Sequence, residues 1–164
     1  MKENKTLYLT QGAAVAALYV ALTYLASAMG LSSGVIQVRF SEALTILPCF
    51  FGAAVPGLFA GCLLANLLTG AVVWDVVFGS IATLLGAIGT RLLRKNRWLA
   101  CLPPIVSNVL IVPFVLAYAY GFSDPIPYLM LTVGAGEVIS CGILGQLLYT
   151  ALDKRRDLRF LRDR

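Results

Sequence analysis

The 164-residue sequence contains no histidine, and its four cysteines (Cys49, Cys62, Cys101, Cys141) show no Cys-x-x-Cys spacing. Metal sites of the zinc type therefore lack their usual donors, and the cysteines read as small apolar residues within longer apolar runs. There is no GxxxxGK[ST] run, so ATP is not hydrolysed on this chain. No serine stands beside a plausible base, which with the missing histidine removes the usual enzyme constellations. Neither an enzyme nor a cofactor is expected. No internal repeat is visible, which argues against a transporter built from inverted halves. Charge is scarce as well: 13% of residues are charged, against roughly 25% in soluble domains.

What is abundant is apolar surface. Hydrophobic residues make up 59% of the chain and the mean hydropathy is +0.84, which places it among integral membrane proteins. A membrane span needs ~20 mostly apolar residues. Six segments approach that length: Leu7–Met29, Ser41–Val55, Gly57–Val73, Asp75–Leu93, Leu99–Tyr120 and Ile126–Leu152. The second is short, covering about 23 Å at ~1.5 Å per residue. The expectation is an all-α, polytopic bundle of six transmembrane helices forming one domain over residues 1–164, with a basic tail over 153–164.

The net charge of +5 does not point to nucleic acid, because of where it sits. Lys2, Lys5, Arg91, Arg94, Lys95, Arg97, Lys154, Arg155, Arg156, Arg159, Arg162 and Arg164 all lie in the N-terminus, one loop or the C-terminal tail. That is positive-inside bias and contact with anionic lipid. Both termini are therefore expected in the cytoplasm, with Arg39 the one basic residue outside. A competing reading takes Lys2, Lys5, the apolar run from Gly12 and Ala26-Ser27-Ala28 as a cleavable signal, leaving five spans in the same orientation.

Prolines and glycines punctuate the spans. Pro48, Pro56 and Gly57 predict a tight turn over Ala53–Gly57. Pro103-Pro104 suits a first helical turn, and Pro113 predicts a kink. On the first helix Ala13, Ala17 and Ala21 share one face, the small-residue spacing that lets membrane helices approach closely. That face has two readings, packing within the bundle or docking of a partner membrane protein.

The polar residues of the spans collect toward the expected outer half. Counting at ~1.5 Å per residue, Glu137 and Asn108 are level, about 17–18 Å below the surface, and Asn66 is about 10 Å down. Trp74, Asp75 and Glu42 stand at the outer mouths of their segments, and Arg39 lies three residues before Glu42. An ion held against a bilayer is costly unless it is paired or used. Each residue also has a structural role open to it. Asn108 and Asn66 can bridge helices, and Asp75 can cap the helix it opens. Trp74 can anchor at the interface, and Arg39 can pair with Glu42. Taken together, three acids against one arginine favour a cationic, donor-rich ligand, since an ionised carboxylate only accepts hydrogen bonds.

The run Gln37-Val38-Arg39-Phe40-Ser41-Glu42-Ala43-Leu44, followed by Leu47-Pro48, Gly61-Cys62, Asn66 and Asp75-Val76-Val77-Phe78-Gly79-Ser80-Ile81-Ala82-Thr83-Leu84, resembles the QueT family of queuosine-precursor transporters. The resemblance runs over about residues 8–150. It implies the substrate-binding S component of an energy-coupling factor transporter in a bacterial cell membrane. Such a component would bind 7-aminomethyl-7-deazaguanine from outside, with Arg39, Glu42, Asn66, Trp74, Asp75, Asn108 and Glu137 as the candidate contacts. It would work with a transmembrane coupling subunit, docked on Ala13, Ala17 and Ala21, and two cytoplasmic ATPases. The alternatives are an S component for another vitamin and a non-transporting scaffold whose polar residues merely bridge helices.

Overall fold

The computed structural model describes residues 5–31 and 36–154. Most of the basic tail, residues 155–164, and the expected signal-like N-terminal lysine Lys2 lie outside the described residues. Every regular element among the described residues is helical. Five are long helices: α1 (Lys5–Ala28), α2 (Ala54–Leu68), α3 (Val73–Leu92), α4 (Leu99–Tyr118) and α5 (Ile126–Asp153). The sixth, between α1 and α2, is a ten-residue 3-10 helix, Phe40–Cys49. Four of these, α1, α3, α4 and α5, are long and apolar enough to cross a membrane.

The 3-10 helix replaces the span expected over Ser41–Val55. Its residues are tied i to i+3, as in Glu42 N–H to Arg39 C=O (3.1 Å) and Phe50 N–H to Leu47 C=O (2.9 Å). At ~2.0 Å per residue, ten residues cover about 20 Å, more than an α-helix of that length would. Pro48 sits inside it, where a normal α-helix would lose a hydrogen bond. Ser41, Glu42, Leu44, Thr45, Ile46, Leu47 and Pro48 are all buried, so the element runs through the middle of the protein rather than along lipid. It is packed by α1, α3 and α5. The turn after it comes earlier than the prolines predict, at residues 50–53, and Pro56 and Gly57 lie inside α2.

Close helix contacts hold this rod in place. Gly57 and Gly61 of α2 form a GxxxG pair against α1. A Cβ at Gly57 would lie 2.6 Å from the Gly12 carbonyl oxygen, and one at Gly61 2.7 Å from the Tyr19 Cβ. Such close approach is how membrane helices gain packing energy when lipid is as apolar as they are. Gly86 of α3 does the same against Pro104 of α4 (2.7 Å). Pro103 and Pro104 stand at the start of the α-helical part of α4, where their missing N–H groups matter least. Thr90 donates a hydrogen bond to the Ala100 carbonyl (2.8 Å), closing the α3–α4 hairpin.

Lys5, Arg91, Arg94, Lys95, Arg97 and Lys154 stand at the start of α1, the end of α3, the start of α4 and the end of α5. Arg91 donates to the Pro48 carbonyl (2.9 Å), and Gln146 to the Arg97 carbonyl (2.7 Å), so these ends meet on one side of the bundle. The outward faces are apolar, with Leu9, Leu18, Leu64, Leu131 and Ile143 exposed. This is a multi-pass membrane protein.

Candidate functional site

Four segments place the polar residues. The 3-10 helix brings Glu42 in its first turn, preceded by Arg39 at its N-terminal boundary. Asp75 is in the first turn of α3, and Asn66 in the last turn of α2. Glu137 closes the first part of α5, immediately before a π-helical stretch, Val138–Leu144. Wider winding of this kind inserts a residue into a helix and is common at functional sites. Here it aims Glu137 and Cys141 inward together.

Glu42 and Glu137 are 1% and 8% exposed, and the ligand atoms of Glu42, Glu137 and Cys141 all lie within 4.8 Å of one another. The Tyr19 hydroxyl donates to Oε1 of Glu42, while Oε2 has no partner. The Cys141 thiol donates to Oε2 of Glu137 (3.1 Å), and Asn108 hydrogen-bonds the same carboxyl. Thr45 donates to the Glu42 carbonyl (2.6 Å) and lies 3.4 Å from the Cys141 sulfur.

Asp75 forms a second acidic point. The Tyr120 hydroxyl donates to its Oδ2 (2.9 Å), and Oδ1 has no partner. Gly79 leaves space beside it, since a Cβ there would sit 3.0 Å from Oδ1 and 3.3 Å from the Asn66 amide nitrogen. Asn66 donates to the Asp75 carbonyl (3.3 Å) and approaches the Cys62 sulfur (3.7 Å). The half-buried Arg39 lies within electrostatic range of Asp75, Tyr19, Glu42 and Cys62. A continuous polar chain therefore runs from Asp75 through Asn66, Cys62, Tyr19 and Glu42 to Cys141, Glu137 and Asn108.

Five of the seven expected contacts, Glu42, Asn66, Asp75, Asn108 and Glu137, come together in this chain, and Arg39 lies within electrostatic range of it. Trp74 does not. It is 62% exposed and stacks on Phe78 (centroids 5.8 Å apart). Both line an apolar groove of about 430 Å³ with Leu110, Phe114 and Tyr118 on the outward face of α3 and α4. The helical register explains this: Asp75 turns inward, and its neighbour 100° away turns to lipid. Sequence reasoning missed Tyr19, Tyr120 and Cys141. Only Cys141 carried a signal, its i+4 spacing from Glu137.

The approach to the site is shaped by residues just before the 3-10 helix. A Cβ on Gly136 would collide with the Gln37 carbonyl oxygen, so the chain lies directly on the α5 backbone there. Two residues on, the Arg39 N–H donates to the Ser140 hydroxyl (3.2 Å). Gln37 also lines a small cavity of about 110 Å³ with Asp124, Tyr128 and Thr132.

The QueT transporter family profile matches residues 9–154. The chain belongs to the QueT transporter family. A relative from Lactococcus lactis subsp. cremoris (strain MG1363), named queuosine precursor transporter QueT, is 31% identical over 170 residues, covering 96% of this chain and 99% of its own. No solved structure matches significantly. As a QueT-family protein the chain is a transporter and not an enzyme, and its buried polar chain is the natural place to look for what it carries.

Proposed function

We propose that this protein is the substrate-binding S component of an energy-coupling factor transporter in a bacterial cell membrane, and that it captures 7-aminomethyl-7-deazaguanine. The observation that carries the reading is the pair of buried carboxylate oxygens with no partner, Oε2 of Glu42 and Oδ1 of Asp75. Leaving such groups unpaired in an apolar interior costs several kcal/mol each, a cost that a donor-rich guest removes. The relative's name supports a queuosine precursor as that guest. An aminomethyl-deazaguanine supplies an ammonium and a base edge with parallel N–H donors, both complementary to carboxylates.

Asp75 opens α3 and Arg91 lies in its last turn, so the polar chain starts from the end opposite the one that gathers Lys5, Arg91, Arg94, Lys95, Arg97 and Lys154. With that basic end in the cytoplasm, both termini are inside and the ligand enters from outside. Ala13, Ala17 and Ala21 lie exposed on α1, on a different face from the buried Gln11, Val15 and Tyr19. That small-residue face suits close docking of a transmembrane coupling subunit, with two cytoplasmic ATPases supplying energy.

The test is ligand-induced stabilisation of the purified protein, because a ligand of the native state raises apparent stability. A melting-temperature rise with 7-aminomethyl-7-deazaguanine, and none with riboflavin or thiamin, is expected. No shift with the deazaguanine at saturating concentration refutes the substrate. For the partner, Ala17→Leu is expected to abolish co-purification with the coupling subunit while leaving ligand binding intact; unchanged co-purification refutes the docking face.

A further inference from the structure

We infer that Glu42 and Glu137 together form a subsite for a primary ammonium group rather than for the planar edge of the ligand. This rests on the deazaguanine reading above and assigns parts of the ligand to particular acids.

A guanine-like edge presents two parallel, coplanar N–H donors, which one carboxylate with both oxygens free takes best. Neither glutamate offers that. Glu42 has Oε1 engaged by Tyr19, and Glu137 has Oε2 engaged by Cys141. The two acids, carried by different segments, converge near Cys141 with their acceptor atoms within 4.8 Å of each other. Oε2 of Glu42 is unpartnered although the residue is only 1% exposed. Single acceptors arriving from different directions suit a tetrahedral ammonium, a compact point charge with three rotatable donors.

The surrounding charges favour the same placement. The groups facing Glu42 and Glu137 are Tyr19 from α1, Cys62 from α2, Asn108 from α4, Cys141 from α5 and Arg39. Arg39 is the only cation among them, and it acts on Asp75 as well as on both glutamates. Between the two glutamates, whose acceptor atoms lie within 4.8 Å of each other, a ligand cation meets two carboxylates at once. Asp75, with Oδ2 taken by Tyr120 and Oδ1 free beside Gly79, offers a single acceptor outside this subsite.

The experiment measures binding of two probes by calorimetry: 7-aminomethyl-7-deazaguanine and its 7-methyl counterpart, which lacks the nitrogen. Wild type is expected to prefer the amine by ~100-fold or more, since its loss leaves buried acceptors unpaired. Glu42→Gln and Glu137→Gln are each expected to cut that preference at least tenfold while holding 7-methyl affinity within about threefold. Asp75→Asn should weaken both probes alike, and Cys141→Ser should leave the preference in place. Equal binding of both probes to wild type overturns the subsite but leaves the transporter reading standing. An undiminished preference in both glutamate variants also overturns it. Binding of neither probe to folded protein removes the substrate reading and the subsite with it. Tight Zn²⁺ binding lost in Cys141→Ser, with the probe preference untouched by the glutamate variants, reassigns the trio to a metal.

Discussion

Gly136→Ala adds one methyl group and tests how the site is assembled. By helix propensity alone the change should stabilise α5 by about 0.8–1 kcal/mol. The structure reverses that sign, because the new Cβ would collide with the Gln37 carbonyl oxygen, whereas ordinary contact begins near 3.4 Å. Either backbone must then yield by about 1 Å, and interiors packed this closely resist such shifts. Overpacking of this kind costs about 1–3 kcal/mol. If the Gln37 segment lifts, Arg39 and its bond to Ser140 move with it, and the same energy appears as about a 5- to 150-fold loss of ligand affinity. Calorimetric titration of the purified variant, beside a thermal melt, reads both effects. Gly142→Ala is the control, since its Cβ would meet only the Val138 side chain at 3.7 Å. A Gly136→Ala protein that melts higher and binds ligand within twofold of wild type would show that the chain before the 3-10 helix does not bear on the site.

Other perturbations follow from single contacts. Tyr19→Phe leaves both Glu42 oxygens without a partner and is expected to lower stability by about 1–3 kcal/mol, with ligand binding restoring part of it in a thermal melt. Thr90→Val removes the donor to the Ala100 carbonyl at the far end of the bundle; denaturation should show a loss of about 1–2 kcal/mol with ligand affinity unchanged. Gly61→Leu forces α1 and α2 apart at Tyr19 and is expected to abolish monodisperse purification, whereas Leu64→Ala, on the exposed face, should be silent by the same chromatographic test. Trp74→Ala strips a side chain that points to lipid, so ligand affinity should hold within threefold; a larger loss places Trp74 in the site after all.

Much of this arrangement could be read from residue order. Apolar run lengths located α1, α3, α4 and α5 to within a few residues, because in lipid every backbone polar group must be bonded within a helix. Glu42, Asp75, Asn108 and Glu137 stood out because a polar side chain in an apolar run is expensive. The winding of the second segment was not legible. Residues 40–49 mix Ser41, Glu42 and Thr45 with apolar residues in no pattern that separates a 3-10 rod from a short α-helix. The π stretch at Val138–Leu144 was hidden for the same reason. Tyr19 and Tyr120 look, in one dimension, like core and interfacial aromatics. Only the fold shows that their hydroxyls hold Glu42 and Asp75. Trp74 illustrates the converse, a residue adjacent in sequence to a site acid yet rotated out of reach.

The buried 3-10 rod also bears on biogenesis. Ten residues with a glutamate and a proline make a poor stop for a translocation channel, and nothing in a bilayer would solvate Glu42 before its companions exist. Those companions are α1, made first, and α5, made last. The 3-10 rod is thus completed only after α1 to α4, when α5 leaves the ribosome and the waiting segment has somewhere to go. A nascent chain halted before Ile126 should remain open to proteases at residues 40–49, however completely α1 to α4 have inserted.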